Sequence, residues 1–123
     1  MKQLLFLIVD DDKSSRELLN SILRTQFGAM VVTASDSTDA LRKYREKKPD
    51  VIWLDIDMPD SDGFETLKMI MKLMPEQYVV MVSGHSSVDF VKKSLELGAR
   101  GFIVKPFSTG KVKEAVERYL AAK

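Results

Sequence analysis

Five short apolar runs recur along the chain, and each is bounded by turn-forming or polar residues. Runs of this kind, without strict alternation of polar and apolar residues, are typical of strands that are buried on both faces of a sheet. The sequence therefore predicts five buried strands, at Leu4–Val9, Met30–Ala34, Val51–Leu54, Tyr78–Val82 and Phe102–Val104.

Five stretches with helical spacing of apolar residues follow these runs in turn. They are Ser14–Thr25, Thr38–Lys47, Phe64–Met74, Ser87–Leu97 and Thr109–Ala122. Ser108 stands where it can cap the last of these helices. In the first helix, the pattern predicts one buried apolar stripe, formed by Leu18, Leu19, Ile22 and Leu23.

Strand and helix therefore alternate five times along the chain. Because parallel neighbours need crossover connections, this order predicts an α/β fold with a doubly wound, five-stranded parallel sheet and helices on both faces. A length of 123 residues suits one domain. We expect that domain to occupy residues 1–123.

Composition narrows the classes of function. The chain has 19 Lys and Arg against 18 Asp and Glu, so it has no basic excess of the kind that nucleic-acid binding requires. The absence of cysteine excludes disulfides, thiolate metal sites and cysteine nucleophiles. The first apolar run is followed directly by acids rather than by a signal-peptide cleavage site, and no run is long enough to span a bilayer. We expect a cytoplasmic domain that binds neither membranes nor, by itself, nucleic acid.

Ligand sites in such folds lie beyond the carboxyl ends of the strands, so the residues that directly follow the apolar runs matter most. Carboxylates gathered at one edge repel each other, and a hard divalent cation removes that conflict. With oxygen ligands and a single histidine, Mg²⁺ or Mn²⁺ fits better than zinc. The residues in question are Asp10-Asp11-Asp12, Ser35-Asp36, Asp55-Ile56-Asp57, Ser83-Gly84 and Lys105-Pro106.

These residues favour phosphoryl chemistry at Asp55. A carboxylate held at a strand end beside Mg²⁺ can attack a phosphoryl group and form an acyl phosphate. The charge that spreads over the phosphoryl oxygens then requires a cation and hydrogen-bond donors. Lys105 and Ser83 are the available suppliers, and we expect Lys105 to pair with Asp55 at rest. Taken singly, each also fits an ordinary loop residue, and Asp12 fits a helix cap, alone or in a mixed role.

Two other functions share part of this pattern. A Mg²⁺-dependent phosphatase with an aspartyl nucleophile would need a cap or insertion to hold its substrate, for which the chain has no residues to spare. A flavodoxin-like electron carrier would need a loop rich in Ser, Thr and Gly after the first strand, where this chain is acidic. Several further residues are interpreted as structural: His85 at the solvent edge of a loop, and Trp53, Met69, Met71, Met74 and Met81 in the core.

Four motifs occur in order, each at a predicted strand end: Val9-Asp10-Asp11-Asp12 with Arg16, Asp55-Ile56-Asp57-Met58-Pro59 with Asp62-Gly63, Ser83-Gly84, and Gly101-Phe102-Ile103-Val104-Lys105-Pro106-Phe107. On these motifs the chain resembles the receiver domains of response regulators in two-component signalling, over essentially its whole length. The resemblance implies the (βα)5 flavodoxin-like receiver fold of chemotaxis regulators, with strand order 2-1-3-4-5. A degenerate receiver that only docks partners is disfavoured, because each site residue is present.

The resemblance also implies a role for each acid. Asp55 matches the phosphorylated aspartate of the family. Asp11 matches the direct ligand of Mg²⁺, and Asp10 matches the acid that reaches the metal mainly through water. The backbone carbonyl of Asp57 would be a further ligand.

The remaining site residues match the family as follows. Lys105 corresponds to the phosphate-binding lysine, and the Lys105-Pro106 peptide bond would be cis. Ser83 corresponds to the switch hydroxyl, and Phe102 to the aromatic residue that moves inward on activation. As a phenylalanine, Phe102 has no phenolic hydroxyl, so the switch is expected to operate by packing. His85 would occupy a position near the phosphate that tunes the access of water.

The resemblance finally implies partners. The phosphoryl donor would be a phosphohistidine on a sensor histidine kinase or a histidine phosphotransfer protein. The phosphorylated surface of helix 4, strand 5 and helix 5 would bind a downstream protein target or a fused output domain. The chain would be a monomer or a phosphorylation-dependent dimer. It would catalyse its own phosphorylation and slow autodephosphorylation rather than act as a turnover enzyme.

Overall fold

A computed structural model describes residues 3–58, 62–85 and 87–123. Within these segments strands and helices alternate five times, and each bound lies within two residues of the one predicted from the sequence. The strands are β1 (Leu5–Val9), β2 (Met30–Ala34), β3 (Val51–Asp55), β4 (Tyr78–Ser83) and β5 (Gly101–Val104). The helices are α1 (Lys13–Phe27), α2 (Ser37–Lys47), α3 (Gly63–Leu73), α4 (Val88–Glu96) and α5 (Thr109–Ala121).

The strands form one parallel sheet in the order β2-β1-β3-β4-β5. This topology confirms the predicted fold class and strand order. β2 lies on one side of β1, whereas β3, β4 and β5 lie on the other. The direction in which strands are added therefore reverses between β1 and β3. Val9 of β1 pairs with Leu54 of β3, which places the residues that follow, Asp10 and Asp55, side by side at the carboxyl edge.

The core has two layers because successive residues of each buried strand face opposite sides of the sheet. On one side, Phe6 and Trp53 pack with apolar residues of α1 and α5. Their rings meet edge to face, with centroids 6.0 Å apart. On the other side, Leu7 and Leu54 pack against α2 and α3, and Phe90 of α4 joins the edge of this layer. The predicted core position of Trp53 is confirmed.

Three apolar residues that the sequence pattern assigned to the core are instead exposed. Leu18 is 48% exposed because α1 turns only Leu19, Ile22 and Leu23 toward the sheet. Met69 is 49% exposed. It lies on the outer side of α3, whose buried face consists of Gly63, Phe64, Thr66, Leu67 and Ile70.

Met74, the third of these residues, is 47% exposed and directly follows the last residue of α3, Leu73, which is itself 50% exposed. Met71 is partly buried against the second layer. Met81 is fully buried on β4. The methionine prediction was therefore right for the strand and wrong for the outer side and end of the helix.

All five helices of the described segments begin at a side-chain cap. In each case an oxygen of the cap accepts a hydrogen bond from a backbone N–H of the first turn. The caps are Asp12, Asp36, Asp62, Ser87 and Ser108. Asp12 and Ser108 were predicted in this role. Across the same segments, no helix has the length and apolar character needed to cross a bilayer.

Gly63 lets α3 begin directly against the backbone that follows β3. A Cβ atom at this position would lie 2.6 Å from the Cα of Ile56 and 2.8 Å from the carbonyl oxygen of Asp55. Both neighbours are backbone atoms that cannot rotate away. The glycine therefore fixes the distance between α3 and the residue that ends β3.

We predict that Gly63→Ala lowers the free energy of unfolding by about 1–3 kcal/mol, because the extra methyl group overpacks a rigid contact. Chemical denaturation measures the change. Gly110→Ala is the control: the nearest atom to a Cβ there is the Ser108 Oγ at 3.8 Å, so stability should stay constant or rise by roughly 0.5 kcal/mol. Equal stability of the two variants would contradict the close contact.

Candidate functional site

The carboxyl ends of β1 and β3 bring three acids together. Asp10 and Asp55 are buried, with 4% and 2% of their surface exposed, whereas Asp11 is exposed. One carboxylate oxygen from each lies within 4.8 Å of the others. The Arg16 guanidinium donates a 2.7 Å hydrogen bond to the carbonyl oxygen of Asp10. The structure thus assembles the three acids that the sequence grouped.

Both carboxylate oxygens of Asp55 have a partner. The backbone N–H of Asp57 donates to Oδ1 over 2.9 Å. The Lys105 ammonium lies 3.1 Å from Oδ2, which is the pairing that the sequence predicted. The same ammonium lies 3.0 Å from Oδ2 of Asp10. One lysine is therefore shared by two buried carboxylates, and the second of these contacts was not predicted.

This crowding changes the ionisation of the site. Burial raises the pKa of the Asp55 carboxyl to about 6; the negative charge of Asp10 adds to the increase, and the Asp57 N–H and the Lys105 ammonium oppose it. Burial alone would lower the pKa of Lys105, but its hydrogen bonds and charge interactions with Asp10 and Asp55 raise it above the ordinary value. Lys105 therefore stays charged, and Asp55 is ionised at neutral pH at a cost in stability.

Lys105 follows β5 directly. Its backbone N–H donates to the carbonyl oxygen of Ser83 over 2.8 Å, which extends the pairing of β4 and β5 by one residue. The Lys105-Pro106 peptide bond is cis, as the resemblance to receiver domains implied. The side chain of Lys105 is 20% exposed and reaches back over the sheet edge to the acids.

Ser83 is fully buried, and its hydroxyl contacts the side chain of Asp57, for which sequence analysis predicted a role of the backbone carbonyl alone. The Ser83 Oγ donates to Oδ2 of the Asp57 carboxylate over 2.9 Å and accepts from the N–H of His85 over 2.9 Å. The N–H of Gly84 donates to the same Asp57 oxygen over 3.0 Å. The His85 imidazole is 64% exposed, as expected of a solvent-edge residue, with Nε2 3.6 Å from Oδ1 of Asp57.

Other predicted residues lie apart from the acids. Phe102 is partly buried on β5, beside Met81 of β4, and packs against the second core layer. Asp36 caps α2 and is not a member of the acid cluster. Asp12 caps α1, with its side chain accepting from the N–H of Ser14. Pro59 of the second motif lies outside the described residues.

The acid cluster has the chemistry of a site for a hard divalent cation. Its ligands are carboxylate oxygens, which Mg²⁺ and Mn²⁺ prefer. Three carboxylates, those of Asp10, Asp11 and Asp55, lie around one ammonium, that of Lys105, and the nearby Arg16 guanidinium binds the backbone of Asp10 rather than its carboxylate. In their ionised forms these carboxylates carry an excess of negative charge. A cation between the carboxylates would remove this excess, so the residues fit the metal that the sequence implied.

Comparison with known proteins extends these observations. The family described as "Response regulator receiver domain" matches residues 6–117. The chemotaxis protein CheY of Listeria monocytogenes is 39% identical over 91% of this chain and 94% of its own length. A CheY-like receiver domain from Methanospirillum hungatei superposes with a TM-score of 0.90 at 30% identity, covering 98% of this chain and 96% of that one.

A longer relative contains the same unit as one part. The transcriptional regulatory protein ZraR of Klebsiella oxytoca is 37% identical over 98% of this chain, which spans 27% of ZraR. The unit thus occurs both in relatives of similar length and within a longer regulator.

The raised pKa of Asp55 predicts how stability depends on pH in metal-free buffer. The folded state binds this proton more tightly than the unfolded state, so the contribution is favourable at low pH and is lost as the pH rises through about 6. Asp55→Asn removes the ionisation. The variant should be more stable than the wild type at pH 8 by about 1–3 kcal/mol, and the gap should narrow by about 1–2 kcal/mol toward pH 4.5.

Urea unfolding with a chelator at each pH measures this gap. A difference between the two proteins that stays constant from pH 4.5 to 8 would show that Asp55 titrates at its ordinary pKa.

Proposed function

Because the chain belongs to the response regulator receiver domain family, we propose that it accepts one phosphoryl group on the carboxylate of Asp55 and that residues 1–123 form one receiver domain. The observation that carries the proposal is the buried Asp55 carboxylate, held on one oxygen by the Asp57 N–H and on the other by the Lys105 ammonium. These contacts fix its orientation at the edge where a donor can approach.

The transfer makes one bond and breaks one. A carboxylate oxygen of Asp55 attacks the phosphorus atom of a phosphohistidine on a sensor histidine kinase or a histidine phosphotransfer protein. A P–O bond forms, the P–N bond breaks, and the electron pair of that bond stays on the histidine nitrogen. Asp55 must be ionised, which a pKa of about 6 permits at neutral pH. The Lys105 ammonium, already 3.1 Å from Asp55, neutralises charge on the phosphoryl oxygens.

We assign the metal to the acid cluster. Asp11 and Asp55 would bind Mg²⁺, with Mn²⁺ as an alternative, Asp10 would act mainly through water, and the backbone carbonyl of Asp57 would complete the protein ligands. When bound, the ion supplies positive charge that offsets the charge of the phosphoryl oxygens. Slow loss of the phosphoryl group to water would reset the domain, so it would act as a switch rather than as a turnover enzyme.

The phosphorylated site is proposed to act on the surface of α4, β5 and α5. Ser83 would turn its hydroxyl to a phosphoryl oxygen, and Phe102 would move into the space that opens. β4 and β5, which carry these two residues, are paired in register, and the Lys105 N–H bonded to the Ser83 carbonyl extends that pairing to the site. Phosphorylation need bias an existing equilibrium by only a few kcal/mol.

The two lengths at which relatives occur support two kinds of output partner. A chain of CheY-like length would bind a separate downstream protein, and a ZraR-like arrangement would act on a fused output domain. The domain would work in the cytoplasm, as a monomer or a phosphorylation-dependent dimer, without binding nucleic acid itself.

Incubation with acetyl phosphate and Mg²⁺ should add one phosphoryl group, which intact-mass spectrometry detects. Asp55→Asn should abolish the addition because it removes the nucleophile. Asp36→Asn should label like the wild type, because asparagine still caps α2 and Asp36 is outside the acid cluster. Labelling of the Asp55→Asn variant at the wild-type rate would mean that another acid is the acceptor.

Adding Mg²⁺ should raise the melting temperature, because an ion that binds only the folded state stabilises it by mass action. Asp11→Ala should abolish the increase while the metal-free protein remains folded. Asp12→Asn is the control, since it removes a neighbouring charge but keeps the helix cap. A wild-type response to Mg²⁺ in the Asp11→Ala variant would remove Asp11 from the metal site.

A further inference from the structure

We propose that the Asp57 carboxylate is a positioning residue that holds the switch in its unphosphorylated arrangement. It binds the Ser83 hydroxyl and the Gly84 N–H, two donors that a phosphoryl group on Asp55 would otherwise use. This inference rests on the proposed function, because it names what the phosphoryl group must displace at the same site.

The Asp57 carboxylate already binds both donors in the unphosphorylated protein. A single oxygen, Oδ2, accepts both from the Ser83 Oγ at 2.9 Å and from the Gly84 N–H at 3.0 Å. The Ser83 hydroxyl has one proton, which cannot be donated to two acceptors at once. Its oxygen in turn accepts from the His85 N–H at 2.9 Å. The proton of the hydroxyl is therefore already donated to Asp57, and this bond must break before the hydroxyl can donate to a phosphoryl group.

Both donors lie at the end of β4, next to the strand that carries Asp55. The N–H of Asp57 donates to Asp55 itself, while the side chain of Asp57 extends to the end of β4. Asp55 is paired in register with Val82, and Ser83 is the next residue. The two donors thus lie on the strand beside the phosphoacceptor, and the group that occupies them is an anion. In the unphosphorylated protein, the Asp57 carboxylate thus accepts the hydrogen bonds that we expect a phosphoryl group on Asp55 to accept.

A route for release is also present. The Asp57 side chain is 33% exposed, and its other oxygen faces the largely exposed His85 imidazole at 3.6 Å. If the Asp57 side chain rotated toward solvent, water could replace the two hydrogen bonds that its carboxylate would lose. A phosphoryl group on Asp55 would favour that rotation, because two anions then compete for the same donors and repel each other. Asp57 would thereby raise the threshold for switching.

The test uses beryllofluoride, a mimic of the phosphoryl group on Asp55, at saturating Mg²⁺. Asp57→Ala should lower the beryllofluoride concentration needed for half-saturation by roughly threefold to tenfold, since the two donors no longer have to be released from an anion. Amide resonances of the folded protein report binding. Asp12→Asn, which removes one charge from the same end of the sheet, should change this concentration by less than about twofold.

A Ser83→Ala background distinguishes a positioning role of Asp57 from an effect of its negative charge alone. In Ser83→Ala the hydroxyl is absent, so the gain caused by Asp57→Ala should fall by at least about half. An unchanged half-saturation concentration in Asp57→Ala, an equal gain in Asp12→Asn, or an equal gain with and without the hydroxyl would each overturn the proposal.

Failure of the proposed function gives a different result, namely no Asp55-dependent binding of beryllofluoride by the wild type. The positioning role would then still be tested in the free protein. There, Asp57→Ala should move the Gly84 amide proton upfield because its hydrogen bond to a carboxylate is lost. An unmoved Gly84 resonance would overturn the inference on its own.

Discussion

Two buried carboxylates, those of Asp55 and Asp10, share the single ammonium of Lys105 at the carboxyl edge of the sheet. This incomplete charge balance is the constraint on which the site depends. Burial makes each negative charge costly, so the lysine must be held close. Burial, and after it the negative charge of Asp10, raises the pKa of Asp55. The three neighbouring acids, with Asp11 at the exposed side, suit a divalent cation.

The fold supplies the positions that this arrangement needs. Reversal of the strand order puts the ends of β1 and β3 next to each other, while Lys105 comes from β5, beyond β4. Parallel strands are about 4.8 Å apart, so the lysine has to extend back across the end of β4. Its N–H bond to Ser83 anchors its backbone there. The Lys105 ammonium and the Ser83 hydroxyl are thus both positioned by β4 and β5.

The sequence was sufficient for the parts of this account that depend on strand ends. Apolar runs located the strands, and the residues after them gave the acids, Lys105 and Ser83. The hydrogen bonds of the Asp57 side chain could not be predicted, because they depend on the backbone direction after β3, which spacing does not encode. The Asp57 carboxylate was therefore missed, although an acid two residues after Asp55 was a visible signal. Leu18 and Met69 were assigned to the core because the apolar pattern is wider than the face that each helix buries.

The coupling between Lys105 and Asp55 tests this charge balance most directly, through the free energies of unfolding of a double-mutant cycle in metal-free buffer at pH 7.5. Lys105→Met keeps an apolar stem but removes the ammonium, and in the wild type it should cost about 3 kcal/mol because two buried carboxylates lose their cation. In the Asp55→Asn background the same substitution should cost at least about 1 kcal/mol less. An equal cost in both backgrounds would contradict the account, since it would mean that Lys105 does not offset the charge of Asp55.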